Sequence, residues 1–273
     1  MTRFIVVPQW QGSPSSRAMQ LIDGAEAIAG DLPRVSCTRV EVPLEAGEAV
    51  DTGVQRYSSL HRIRDLVASS VQAGGGPAMV VGGDCGVAVS AVARSAAADP
   101  DLAVVWLDAH PDLHTPATSE SGAFAGMALR AVIGEGAPGL ALEAGTVPSE
   151  RVVLAGARSF DAAEDAAARE LALTMLAVSD LADPARLADA VSATGASAVH
   201  IHVDLDVLDP SAMAGVTSAE PFGVTVADLV AAIGAVRAST RLAGSSIAGF
   251  APSSPAAAVE DMGAILRIVG ALA

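Results

Sequence analysis

Short apolar runs alternate with Ala-rich stretches along almost the whole chain, and the runs themselves do not alternate apolar with polar residues. A strand with one solvated face reads as strict alternation. A strand covered on both faces, as in a parallel sheet, reads as a continuous apolar run. Strands are expected at 4–7, 35–42, 79–82, 102–107, 152–155, 173–178, 198–203 and 245–250. Helices are expected at 17–29, 58–73, 87–98, from near Gly126, and at 161–171, 226–236 and 255–268. Asp180 can cap a further helix, interrupted near Pro184 and continuing to Val191, and Thr225 can cap the helix that follows it. This βαβα order argues for a doubly wound, three-layer α/β fold. No internal repeat and no long linker divides the chain, so 1–273 is read as one domain.

Composition removes several function classes. Apolar residues make up 51% and charged residues 17%, which is a globular balance. The net charge of −15 leaves no basic stripe for phosphates, so no nucleic-acid partner is expected. Two cysteines, Cys37 and Cys85, are too few for a disulfide framework in a chain of this length. No apolar run is long enough for a signal segment or a membrane span. The expectation is a cytoplasmic protein. A nucleotide-binding reading fails as well, because Gly74-Gly75-Gly76 precedes a strand and does not open a helix.

The chemistry sits at three strand ends. The run at 78–82 leads into Gly83-Asp84-Cys85, the run at 102–107 into Asp108-Ala-His110-Pro-Asp112, and the run at 198–203 into Asp204-Leu-Asp206. Ligands of open α/β sheets bind outside the carboxyl ends of the strands. A spacing of two places side chains on one face of an extended segment. Clustered carboxylates cannot all stay ionised without a positive charge among them. A pair of divalent ions roughly 3.5–4 Å apart resolves that conflict. Oxygen-rich ligation with one imidazole favours Mn²⁺, whereas a Cys85 thiolate pulls towards softer metals. Taken singly, each motif has a plainer reading: a solvated strand end, a capped turn, or a small buried thiol.

Together, Gly82-Gly-Asp-Cys85, Asp108-Ala-His-Pro-Asp112 and Val203-Asp-Leu-Asp-Val-Leu-Asp-Pro210 resemble the motifs of the ureohydrolase (arginase–agmatinase) superfamily, over nearly the whole chain. The resemblance implies a three-layer α/β/α sandwich with an eight-stranded parallel sheet and two Mn²⁺ per chain. It implies hydrolysis of a guanidino carbon by a metal-bridging hydroxide. By motif, the first metal takes Cys85, Asp108, Asp112 and Asp204, and the second takes His110, Asp108, Asp204 and Asp206. Asp112 is the implied hydrogen-bond acceptor for the attacking hydroxide. His114, Ser119 and Ser121 fall where the family surrounds a substrate α-carboxylate, and Asp161 with Glu164 where it receives an α-amino group. Asp161 and Glu164 also suit a helix N-terminus, where acids are favoured. The implied partner is a small guanidino amino acid. The chain stops soon after its last expected helix, without the extension of trimeric arginases, so a monomer is expected.

Three positions depart from the family pattern. Cys85 stands where the family has a metal-binding His, Ala125 where arginase has a proton-shuttling His, and Gly249 nearest to where arginase has a guanidinium-binding Glu. Glu220 is the candidate replacement for that Glu. Arginine's guanidinium has a pKa above about 12. A site without a proton donor for the departing amine suits a less basic group, and N-hydroxylation provides one. The expected substrate is therefore Nω-hydroxy-L-arginine. The alternatives are a ureohydrolase acting on arginine, agmatine or another guanidino compound, and a binding homologue with impaired catalysis.

Overall fold

The computed structural model describes residues 2–273. Eight strands form one parallel sheet: β1 Arg3–Val7, β2 Cys37–Arg39, β3 Ala78–Gly82, β4 Ala103–Leu107, β5 Val152–Ala155, β6 Thr174–Leu176, β7 Ala198–Asp204 and β8 Arg241–Ala248. Their order across the sheet is β2-β1-β3-β8-β7-β4-β5-β6, with every pairing parallel. The helices are α1 Gln20–Gly30, α2 Tyr57–Gln72, α3 Val87–Ala98, α4 Ala128–Ile133, α5 Ala162–Glu170, α6 Pro184–Ala193, α7 Val226–Ser239 and α8 Pro255–Leu272. The α/β/α architecture is as expected.

The strand pleat sorts side chains to two cores. Ala103, Val105 and Leu107 of β4 join Val199, Ile201 and Val203 of β7 beneath α1, α6, α7 and α8. Val104 and Trp106 point the other way, towards α2, α3 and α4. Both faces of β4 and β7 are buried, which is why those runs are apolar without alternation. His200, His202 and Asp204 share the Trp106 face of the sheet, because they keep the period of two.

Several boundaries differ from expectation. The run at 35–42 yields only the short edge strand Cys37–Arg39, because Arg34–Ser36 forms a 3-10 turn and the chain then leaves the sheet. β8 starts four residues before the expected 245 and ends at Ala248. Asp180 does not cap α6. Asp183 does, accepting from Ala185 N at 3.1 Å, while Asp180 accepts from Ala177 N in the preceding 3-10 turn. Pro184 explains the choice, since proline is tolerated in the first turn of a helix and not inside one. Thr225 caps α7 through Asp228 N at 3.1 Å. Among the described residues no helix is long and apolar enough to cross a membrane.

Candidate metal centre

The central strands run β3-β8-β7-β4, so the strand ends that lead into Cys85, Asp108 and Asp204 converge around the carboxyl end of β8. The cleft there has a volume of about 190 Å³. Cys85, Asp108, His110, Asp112, Asp204 and Asp206 all line it. The Cys85 thiol donates to Asp204 Oδ2 at 2.8 Å and faces Asp108 Oδ2 at 3.7 Å. His110 Nδ1 lies 3.0 Å from Asp206 Oδ2 and 3.6 Å from Asp108 Oδ1.

The local geometry that brings them together is not the extended one expected from the spacing. β7 ends at Asp204, and a 3-10 turn over Leu205–Val207 follows. Asp204 Oδ1 accepts Asp206 N at 2.9 Å, and Ala109 N holds Asp206 Oδ1 at 3.1 Å. Asp112 adopts a left-handed backbone with φ of 52°, a costly conformation for a non-glycine residue. Trp106 Nε1 donates to Asp108 Oδ2 at 3.2 Å, and His110 N to Asp108 Oδ1 at 2.7 Å. Arg158 ties the Asp206 loop from behind. Its guanidinium donates to the carbonyls of Asp206 at 3.0 Å, Val207 at 3.3 Å, Glu220 at 2.8 Å and Pro221 at 3.0 Å.

The buried carboxylates, the imidazole and the thiol shift one another's titration. Burial opposes charge on His110, yet hydrogen bonds to Asp108 and Asp206 overcome it and push the imidazole up to about 12. Burial and neighbouring carboxylates push Asp112 and Asp206 well above the usual carboxylate range, and Asp204 to about 6. Burial and the charges of Asp204, Asp112 and Asp108 raise the Cys85 thiol well above its ordinary value. Asp108 is held low against its burial by His110. Burial drives His200 to about 3 and His202 to about 4, so both are neutral. Asp112 Oδ2 and His202 Nε2 are buried without any hydrogen-bond partner. Unpartnered lone pairs beside crowded carboxylates are what divalent cations would satisfy, and the donor set fits a metal pair.

The other expected site residues divide into two groups. His114 and Glu164 line the cleft. His114 Nε2 lies 3.3 Å from Asp161 Oδ2 and 3.8 Å from Glu164 Oε1. Asp161 uses its other oxygen to cap α5, accepting Ala163 N and Glu164 N at 2.8 Å each. Glu220 Oε1 faces His110 Nε2 at 3.7 Å and accepts from Ser159 Oγ at 3.3 Å. Ser119 and Ser121 lie on the following loop and do not line the cleft. Their hydroxyls accept from Gly122 N at 3.1 Å and Ala123 N at 3.2 Å. Ser13, Thr217 and Ser218 line it instead. They come from loops without a motif, so no sequence signal marked them. Ala125 is on the cleft wall, and so is Gly249, with φ of 87°. Asp84 is not free to bind a ligand, because it accepts from Gln9 Nε2 at 2.8 Å, Gly12 N at 2.9 Å and Gly86 N at 3.0 Å.

A family model described as "Arginase family" matches residues 14–267. This chain belongs to the arginase family. It is 33% identical to the arginase of Bacillus caldovelox over 209 residues, spanning 72% of this chain and 67% of that one. It is 29% identical to a Staphylococcus aureus arginase over 62% of this chain and 59% of the relative. The solved B. caldovelox arginase superposes with a TM-score of 0.85 at 25% identity, covering 99% of this chain and 97% of that one. An Entamoeba histolytica arginase, solved with L-ornithine, shares the fold with a TM-score of 0.87 at 19% identity, covering 99% and 97%. Arginase-family homologues are metal-dependent hydrolases of guanidino C–N bonds, and this chain is an amidinohydrolase of that family.

Proposed function

We propose that this arginase-family protein hydrolyses Nω-hydroxy-L-arginine to hydroxyurea and L-ornithine. The observation that carries the reading is Ala125, a methyl group on the same cleft wall as His110, Asp112 and His114. A methyl cannot hand a proton to a departing amine. General acid help of that kind is worth roughly 10²–10⁴ in rate. Its absence is tolerated best by a guanidine of reduced basicity, such as the N-hydroxylated one. Cys85 with Ala125 also resembles the Nω-hydroxy-L-arginine amidinohydrolase of D-cycloserine biosynthesis, an antibiotic pathway.

Two Mn²⁺ ions held by Cys85, Asp108, His110, Asp112, Asp204 and Asp206 would supply Lewis acidity and lower the pKa of water at the guanidino carbon. The chain's own groups do the rest. Asp112 Oδ2, which has no other hydrogen-bond partner, takes the proton from the attacking water. The C–N bond to the ornithine nitrogen breaks, and with no histidine at 125 the proton held by Asp112 is the one available to the departing amine. Asp161 and Glu164 receive the α-ammonium group, with His114 bridging them to the cleft. His114, on the cleft wall, serves the α-carboxylate, and Glu220 stands beside His110 for the guanidino end. Steady-state kinetics of the Mn²⁺-loaded protein on arginine and on Nω-hydroxyarginine test the reading, with hydroxyurea and urea distinguished as products. A clear preference for arginine overturns it.

A further inference from the structure

His202 is fully buried on β7, two residues before Asp204, and the two side chains leave the same face of the sheet. Its ring lies against Trp106 with centroids 3.9 Å apart. A ring nitrogen of His202, the Cys85 sulfur and a carboxylate oxygen of Asp108 all lie within 4.8 Å of one another. Nδ1 is engaged with Ser246 Oγ at 2.8 Å, whereas Nε2 has no hydrogen-bond partner.

A buried relay sets which nitrogen carries the proton. Ser95 Oγ donates its single proton to Ala91 O at 3.2 Å, so at 2.9 Å it accepts from His200 Nδ1. Neutral His200 then offers Nε2 as an acceptor, and Ser246 Oγ donates to it at 3.3 Å. Ser246 has thereby used its proton and accepts from His202 Nδ1. His202 Nε2 is left as a bare lone pair, enclosed and unpartnered, beside a thiol and a carboxylate. A histidine ligand is usually oriented by a hydrogen bond from its other nitrogen, and the Ser246 contact has that form.

We propose that His202 Nε2 is a ligand of the first metal, joining Cys85 and Asp108 in a sulfur–nitrogen–oxygen donor set. The inference rests on the reading of the cleft as a metal centre. Neutral nitrogen donation adds no negative charge to a site already crowded with carboxylates. It supplies a borderline donor beside the soft sulfur, a combination seen with transition metals and not with Mg²⁺ or Ca²⁺.

The test is a calorimetric titration of chelator-stripped wild-type protein and of His202→Ala with Mn²⁺, followed by electron paramagnetic resonance of the loaded proteins. Wild type should take up two equivalents and show the exchange-coupled signal of a metal pair. His202→Ala should bind one equivalent at least about 10-fold more weakly, judged against the 10–100-fold effect of ligand-supporting residues. Its spectrum should change to that of isolated Mn²⁺. Melting of both metal-free proteins checks the fold, and His202→Asn replaces His202→Ala if the latter does not fold. Two equivalents with unchanged affinity in the variant overturn this inference and leave the metal centre standing. Uptake of less than one equivalent by wild type overturns both.

Discussion

Gly249 and Asp204 share one volume: a methyl group at 249 would collide with Asp204 Oδ1. β8 lies between β3 and β7. Cys85 beyond β3 can therefore meet Asp204 at the end of β7 only by reaching over the end of β8. Glycine at that end leaves the space open. Its φ of 87° adds a second reason, because a left-handed backbone disfavours any side chain. Gly249→Ala should lower the melting temperature and displace Asp204, at a cost of about 1–2 kcal/mol from backbone strain before the collision is counted. Calorimetry and metal analysis check this. A variant with unchanged metal content and melting would show that the Asp204 position does not need this gap.

Arg158 should matter without touching substrate. It holds the Asp206 loop by several carbonyls at once, a task for a planar guanidinium with five donors. Arg158→Lys should fail nearly as fully as Arg158→Ala, since an ammonium cannot span those acceptors. Both should weaken Mn²⁺ binding by about 10–100-fold, read by titration. Full rescue by lysine would refute the clamp.

The metal-free protein should lose stability as pH rises from about 4 to about 7. Asp204 has a folded pKa of about 6, above the unfolded value near 3.9, so its contribution is complete below about pH 4 and lost as pH rises through 6. Asp112 and Asp206 shift in the same direction. His110, raised to about 12, keeps its full contribution up to its unfolded value near 6.5 and loses it progressively from there to 12. Asp108, held low, contributes fully above the unfolded value. Mn²⁺ requires the ionised carboxylates, so its stabilising effect should grow over the same range. Melting curves with chelator and with Mn²⁺ test the pair of trends. A metal-free melting temperature that rises towards neutrality contradicts them.

Ala125→His should shift substrate preference. A histidine there would supply the missing proton donor, and the arginine to Nω-hydroxyarginine ratio of kcat/KM should rise, by up to about 10²–10⁴ if transfer is fully restored. An unchanged ratio would mean that Ala125 does not set the preference.

Asp112→Asn tests the proton acceptor. It removes the ionisable oxygen that stands unpartnered in the cleft. It should lower kcat by about 10²–10⁴. Metal content measured in parallel separates this effect from loss of a metal ligand.

The sequence by itself determined the order of strands and helices, the burial of the sheet on both faces and the carboxylate, imidazole and thiol side chains at three strand ends. These follow from periodicity and donor chemistry, which are local. The His-Ile-His-Val-Asp alternation in β7 also carried a signal for His202, because a period of two places His202 on the face of Asp204, but nothing local showed that its Nε2 would be left unpartnered. Tertiary structure decided that β8 would separate β3 from β7 and that Gly249 would make room for Asp204. It put Ser13, Thr217 and Ser218 on the cleft wall while Ser119 and Ser121 stayed outside. Strand pairing and loop packing join residues far apart in the chain, and no local pattern encodes which distant segment fills a given space.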